Sequence, residues 1–290
     1  MTGSIESRRG MLQPEEIAEL RAHYGLSQRA LARLMDWGLV TVQRYESGRL
    51  QDGAHDALLR QLSDPAFVLD MLQRARELSP AERDSVREAA LRRQRSDRRT
   101  MVREYERLIQ AGVPHDPALV GFRAFSLDCL ASVVAWFGQN IRGQLFKTWL
   151  AKLLWLADFG HFRREGRSIT GLAYARLDHG PMPEGYHLML GALERADFVR
   201  VEEVTLAEGW TGEVITPLVD FQPSALSVSE LETLARVRDS FGELAGTQLS
   251  ALSHRETIWT DRRTGQFIPY PEAMGSSLIA PLAEDRGGSG

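Results

Sequence analysis

The feature that most constrains this chain is a segment at residues 145–162 that is apolar on almost every side when wound as a helix. It carries Trp149, Leu150, Leu153, Leu154, Trp155, Leu156 and Phe159. A surface helix keeps a polar stripe for water; one without such a stripe must lie at the centre of a sizeable domain. Lys147, Lys152 and Asp158 interrupt the apolar run, which falls short of the roughly 20 uninterrupted residues a membrane span needs. No transmembrane helix is expected. A second apolar helix is expected over 125–137. Strand-like pieces follow at 171–177, 198–206 and 213–217, with a helix over 183–196 between the first two, helices near 229–241 and 247–253, and a loop-rich end.

A chain of 290 residues has room for two domains with cores of their own. The fold class expected is mainly α: an N-terminal helical bundle, a helical connector, and a C-terminal α+β domain dominated by helices with a few short strands. The divisions fall at residues 1–76, 77–114 and 115–285. Before the connector, Pro14 opens a first helix that stops at Gly25, and Ser27 caps a second carrying Leu31, Leu34 and Met35. A turn at Asp36, Trp37 and Gly38 leads to a third helix over 39–47; a fourth carries Ala54, Leu58, Leu59 and Leu62, and Pro65 opens a fifth. The connector helix runs from Ser79, with Glu82 placed for a capping box, to about Gln110; it is charged, with little apolar surface for either core. Its arginine-dense stretch at 92–99 reads as a solvated face or as a phosphate-following extension of the bundle.

The N-terminus lacks the apolar core of a signal peptide, and Cys129, the sole cysteine, has no disulfide partner. A cytoplasmic location is expected. The Gly-Gly-Ser-Gly tail at 287–290 is left out of fold reasoning. Residues 111–290 carry 16 basic against 22 acidic side chains, a balance that suits a basic partner better than nucleic acid.

In the N-terminal bundle, the second and third helices have the length and tight connection of a helix-turn-helix, whose second helix enters the major groove. Val42 is the expected buried anchor. Val40, Thr41, Gln43 and Arg44 are the candidate base readers, Arg suiting guanine and Gln adenine, while Gln28 and Arg49 suit phosphates. The run from Trp37 through Gly48, followed by residues 54–62, resembles the helix-turn-helix of MqsA-type antitoxins, with Trp37 standing where that family usually has a small aliphatic residue. A single cysteine cannot supply the zinc ligands of MqsA's other half.

Three blocks in the C-terminal part resemble the Panacea domain, also described as SocA-like or GepA-like, of bacterial and prophage antitoxins. The first holds Lys152, Asp158 and His161, then Gly166, Ser168, Thr170 and Gly171; the second holds Gly180, Pro181 and Pro183; the third holds His254, Glu256 and Trp259. The resemblance implies an antitoxin of a toxin-antitoxin system, with roles in phage defence and transcription regulation. It would neutralise a cognate protein toxin encoded nearby, by direct inhibition or by delivery to a protease, while the helix-turn-helix is expected to bind operator DNA as a homodimer matching a palindromic site. Each block also has a structural account: Asp158 accepting hydrogen bonds from the turn at Gly166 to Ser168, Gly180 and its prolines making a rigid turn, and the third block gathering on one face of a helical turn.

Two other classes compete. Asp158, His161, Asp178, His179, His254 and Glu256 are the residues a metal-dependent enzyme would gather, but no H-E-x-x-H, C-x-x-C pair, phosphate loop or G-x-S-x-G occurs. No catalytic residue, metal or cofactor is therefore expected. A repressor whose C-terminal domain senses a small molecule would instead need an enclosed apolar pocket.

Overall fold

The computed structural model describes residues 10–75, 77–205 and 211–284. The expected start of the chain, the tail at 287–290, the domain limits at 1, 76 and 285, and the last residue of the strand expected over 198–206 lie outside the described residues. The chain divides into two compact units after Thr100.

In the first unit the helices form where period and caps require: α1 (Pro14–His23), α2 (Gln28–Leu34), α3 (Leu39–Glu46), α4 (Gly53–Gln61) and α5 (Pro65–Arg74). Ser27 Oγ accepts from the Ala30 N–H at 3.0 Å and Asp52 caps α4 in the same way through His55. Their apolar faces meet in a core of Ile17, Tyr24, Leu31, Leu34, Val42, Leu59, Leu62, Val68 and Leu72. The long helix α6 (Pro80–Ala111) starts with the expected capping box, Ser79 N–H donating to Glu82 and Glu82 N–H to Ser79. The little apolar surface that α6 carries is put to use. Val86 and Ala90 are buried in the first unit's core, and Val102 and Ile109 in the second's. These residues are sparse but lie four and seven apart, which keeps each pair on one side of a helix otherwise dominated by charge.

The second unit is built around α8 (Lys147–Glu165), in which every residue from Trp149 to Phe162 is buried. Around it pack α7 (Leu127–Asn140), α9 (Tyr186–Arg195), α10 (Val228–Phe241) and α11 (Gly246–Ser253). The expected loop-rich end contains α12 (Thr257–Thr260), a 3-10 turn at Tyr270–Gly275 and α13 (Ala280–Ala283). Among the described residues four short strands make two antiparallel pairs: β1 (Tyr174–Leu177) with β2 (Gly180–Pro183), and β3 (Val199–Thr205) with β4 (Thr211–Pro217). The protein is thus mainly helical with a few short strands, as the sequence pattern requires.

The block at Gly180 differs from expectation. It is a strand, not a turn: Gly180 pairs with Leu177 and Pro183 with Tyr174, and the reversal falls at Asp178 and His179. The helix expected from residue 183 starts at Tyr186. Two prolines are tolerated because a two-stranded ribbon leaves one edge of β2 without a partner. Gly180 is required here, since its φ is +109° and a Cβ would stand 2.7 Å from Ser253 Oγ.

Candidate functional site

In the first unit, α2 and α3 are joined by Met35 to Gly38, with Asp36 in the left-handed region at φ 56°. Val42 is buried, as expected of an anchor, while Val40, at 55% exposure, stands on the open face of α3 with Gln43 and Arg44. Spacings of three and four put these three side chains on one face. Arg49 is exposed beyond the helix end and Thr41 is half-buried. Gln28 is committed elsewhere than expected: its Nε2 donates to Glu46 Oε2 at 2.8 Å, beside a bidentate pair from Arg21 (Nε–Oε1 2.7 Å, Nη2–Oε2 3.0 Å). Burial works to raise the Glu46 pKa, but the hydrogen bonds from Arg21 and Gln28 outweigh it and hold the carboxyl below its ordinary value. This clamp ties α1, α2 and α3 together; no local spacing links Arg21 to a residue 25 positions away. Trp37 fills the turn, its ring 4.2 Å from that of His55 and edge-on to Tyr45 at 6.2 Å.

In the second unit the motif residues divide among several sites. Asp158 is fully buried and accepts four hydrogen bonds: Oδ1 from the N–H groups of Ile169 (2.9 Å) and Thr170 (2.7 Å), Oδ2 from Thr170 Oγ1 (2.5 Å) and Tyr174 OH (2.7 Å). The donors lie just past the expected turn at Gly166 to Ser168. That turn is occupied otherwise: Gly166 ends α8 with its N–H on Phe162 O, and Ser168 Oγ donates to Val120 O at 2.8 Å. Burial pushes the Asp158 pKa up while the four donors pull it back. Gly171, at φ +77°, passes so close to residue 124 that a Cβ would lie 2.7 Å from the Ala124 carbonyl carbon. This glycine is what lets the loop after α8 press against the start of α7.

His161 is buried, and burial lowers its pKa. The Thr233 hydroxyl donates to Ser229 O, leaving Thr233 Oγ1 to accept from His161 Nδ1 at 3.1 Å. The third block does not share one helical face. His254 ends α11, Glu256 precedes α12, and Trp259 lies within α12. The interruption of the helix at residues 254–256 sends the side chains different ways: His254 stacks on Trp259 at 4.0 Å, whereas Glu256 Oε1 accepts from Ser277 Oγ (2.8 Å) and Leu278 N–H (3.0 Å). Arg176 covers the Trp259 ring at 4.4 Å, and Trp259 Nε1 donates to Leu177 O. Asp178 and His179 sit in the β1–β2 reversal. Asp158, His161 and Glu256 are thus engaged at separate places, and among the described residues no group of three or more His, Cys, Asp or Glu side chains is arranged to hold a metal ion. No helix of the described residues is long and apolar enough to cross a membrane.

Not every motif group is satisfied among the described residues: His254 Nε2 is buried without a hydrogen-bond partner, and Lys152 has neither a hydrogen bond nor an ion pair. It is 1% exposed and lines an open cleft of about 1400 Å³ with Lys147, Trp149, His179 and Ser250. Burial lowers its pKa to about 8. No spacing in the sequence separates it from the apolar residues around it as unpaired.

Residues 150–260 match the antitoxin SocA-like family, Panacea domain. No curated protein and no solved structure matches the chain.

Proposed function

Starting from a SocA-like antitoxin domain at residues 150–260, we propose that this chain neutralises a protein toxin through its second unit and represses its own operon through its first. The family match carries the reading, because all three motif blocks, from Lys152 to Trp259, fall inside it. The toxin is a cognate protein encoded nearby, and neutralisation requires no catalysis, metal or cofactor. In support, Asp158, His161 and Glu256 are buried and spent on hydrogen bonds within the protein. The test is co-expression of the chain with each neighbouring gene product: rescue of growth by the intact chain, with toxin and chain co-purifying, is the expected result. Growth arrest relieved by none of these pairings would overturn the reading.

The first unit acts as a helix-turn-helix, with Val40, Thr41, Gln43 and Arg44 at the bases and Arg49 at a phosphate, and the protein binds a palindromic operator as a homodimer. The exposed Val40, Gln43 and Arg44 face supports this. Gln28 serves chiefly to orient Glu46, with one amide hydrogen left for a phosphate. Arg44→Ala in the full chain should cost about 1–3 kcal/mol on the operator and little on random DNA, and Arg49→Ala should weaken both alike. Equal losses on both DNAs for Arg44→Ala, in a salt-matched gel shift, would remove Arg44 from the base readers. Arg44→Ala should still neutralise toxin in full. Point variants test the division of labour better than a fragment starting at residue 115, which would strip Val102 and Ile109 from the second unit's core.

A further inference from the structure

The chain contains only two lysines, Lys147 and Lys152, and both line the same cleft in the second unit. Their situations differ. Lys147 Nζ donates to Glu213 and lies 3.2 Å from His187 Nδ1. Lys152 has its stem against the start of β2, where a Cβ on Gly180 would stand 3.7 Å from Lys152 Cε. Among the described residues it has neither a hydrogen bond nor an ion pair. A buried cation without a partner is costly, and such groups are ordinarily paired or neutralised.

Three further features point the same way. Trp149, one turn earlier on α8 and lining the same cleft, has a buried indole N–H with no acceptor. The N-terminus of α8 opens here as well: no side chain caps it at Phe146, and its first turn holds no acidic residue. The N-terminal end of α11, at Ala245 to Thr247, lines the cleft too, with the Ala245 N–H taken by Gln248 Oε1 at 2.8 Å and no acid in its first turn. Helix N-termini present N–H groups and a positive partial charge, so these donors share a cleft in which the described residues supply Lys152 and the Trp149 indole with no acceptor.

We propose that the cleft is a carboxylate-binding site in which Lys152 takes an acidic group presented by a segment of a bound polypeptide. The cleft exceeds the roughly 300–1,000 Å³ typical of small-molecule pockets, which suits a segment of chain. Glu203 and Glu243, exposed at its lining, suit basic residues flanking that carboxylate. Glu213 is taken by Lys147, and Glu194 accepts from the Val201 N–H at 3.0 Å. The inference rests on the reading of the second unit as a protein-binding domain.

Because there are two lysines, protein labelled with lysine 13C at Cε gives two side-chain signals, assigned by Lys147→Arg and Lys152→Met. The full chain is titrated with a blocked pentapeptide, arginine-leucine-glutamate-leucine-arginine, with its glutamine counterpart, with sodium acetate and with inorganic phosphate, all at constant ionic strength. The glutamate peptide should move the Lys152 signal saturably, at least tenfold more tightly than the glutamine peptide, with acetate acting in the same direction at higher concentration. Lys152→Met should lose binding of the glutamate peptide. Equal binding of the two peptides, no saturable shift with any carboxylate, or phosphate saturating below every carboxylate would overturn the assignment. The wild-type titration alone decides this if the variant fails to fold. No toxin is present, so a failed titration leaves the antitoxin reading standing, and a failed co-expression leaves the titration to be judged alone.

Discussion

Lys152→Met is expected to make the folded chain more stable at pH 7, by up to about 3 kcal/mol, because it replaces a buried, unpaired ammonium with an apolar side chain of similar length. The magnitude follows from an amine lowered from 10.5 to about 8 by burial. The sign follows from linkage. Between about pH 8 and 10.5 the unfolded chain holds a proton on Lys152 that the folded chain has released, so wild-type stability rises with pH across that window and is reduced below it. The methionine variant should lack this rise, and its advantage should shrink as pH passes 8. Urea denaturation at pH 7 and pH 10 measures both effects; a variant less stable than wild type at pH 7 would show that Lys152 is satisfied within the fold. A gain in stability with a loss of carboxylate binding is the pattern of a residue kept for its ligand at the expense of the fold.

Asp158→Ala is expected to act in the opposite direction, with a loss of roughly 3–5 kcal/mol, since it strands two buried N–H groups and two hydroxyls. Asp158→Asn should cost much less. Its amide oxygen can still accept from Ile169 and Thr170, and its NH2 can donate to the Thr170 and Tyr174 oxygens once those hydroxyls turn. The pH dependence separates the two substitutions further. Burial holds the Asp158 pKa above its ordinary value, so wild-type stability is fullest below the unfolded pKa and declines as pH rises through the folded one. Asparagine lacks that decline, so its deficit should narrow with rising pH. Neutralisation should follow stability in both variants: toxin protection lost by a fully folded Asp158→Asn would assign the carboxylate a role beyond holding the loop after α8.

Local pattern alone determined the helical elements of this protein. The period of apolar residues, Pro14 and Pro65 at helix starts, Ser27 at a cap and Ser79 with Glu82 in a capping box act within a turn or two of chain, and α1 to α5, α7, α8 and α10 form where they require. The central position of α8 follows from the same source, because a helix with no polar face has no other stable place. Tertiary structure decided the rest. Gly180 to Pro183 reads as a turn by composition, yet it pairs with β1 and Gly180 packs against Ser253, 73 residues on. The sparse apolar residues of α6 count as core only because two separate clusters come to meet them. The same holds for the polar groups. Arg21 finds Glu46, His161 finds Thr233, and Glu256 finds the backbone at Leu278, across separations that no helical or strand period encodes. Among the described residues Lys152 finds no partner, and that too is a property of the packed structure: charge and spacing specify which groups a helix carries, while only the surrounding packing decides which of them are left without a partner.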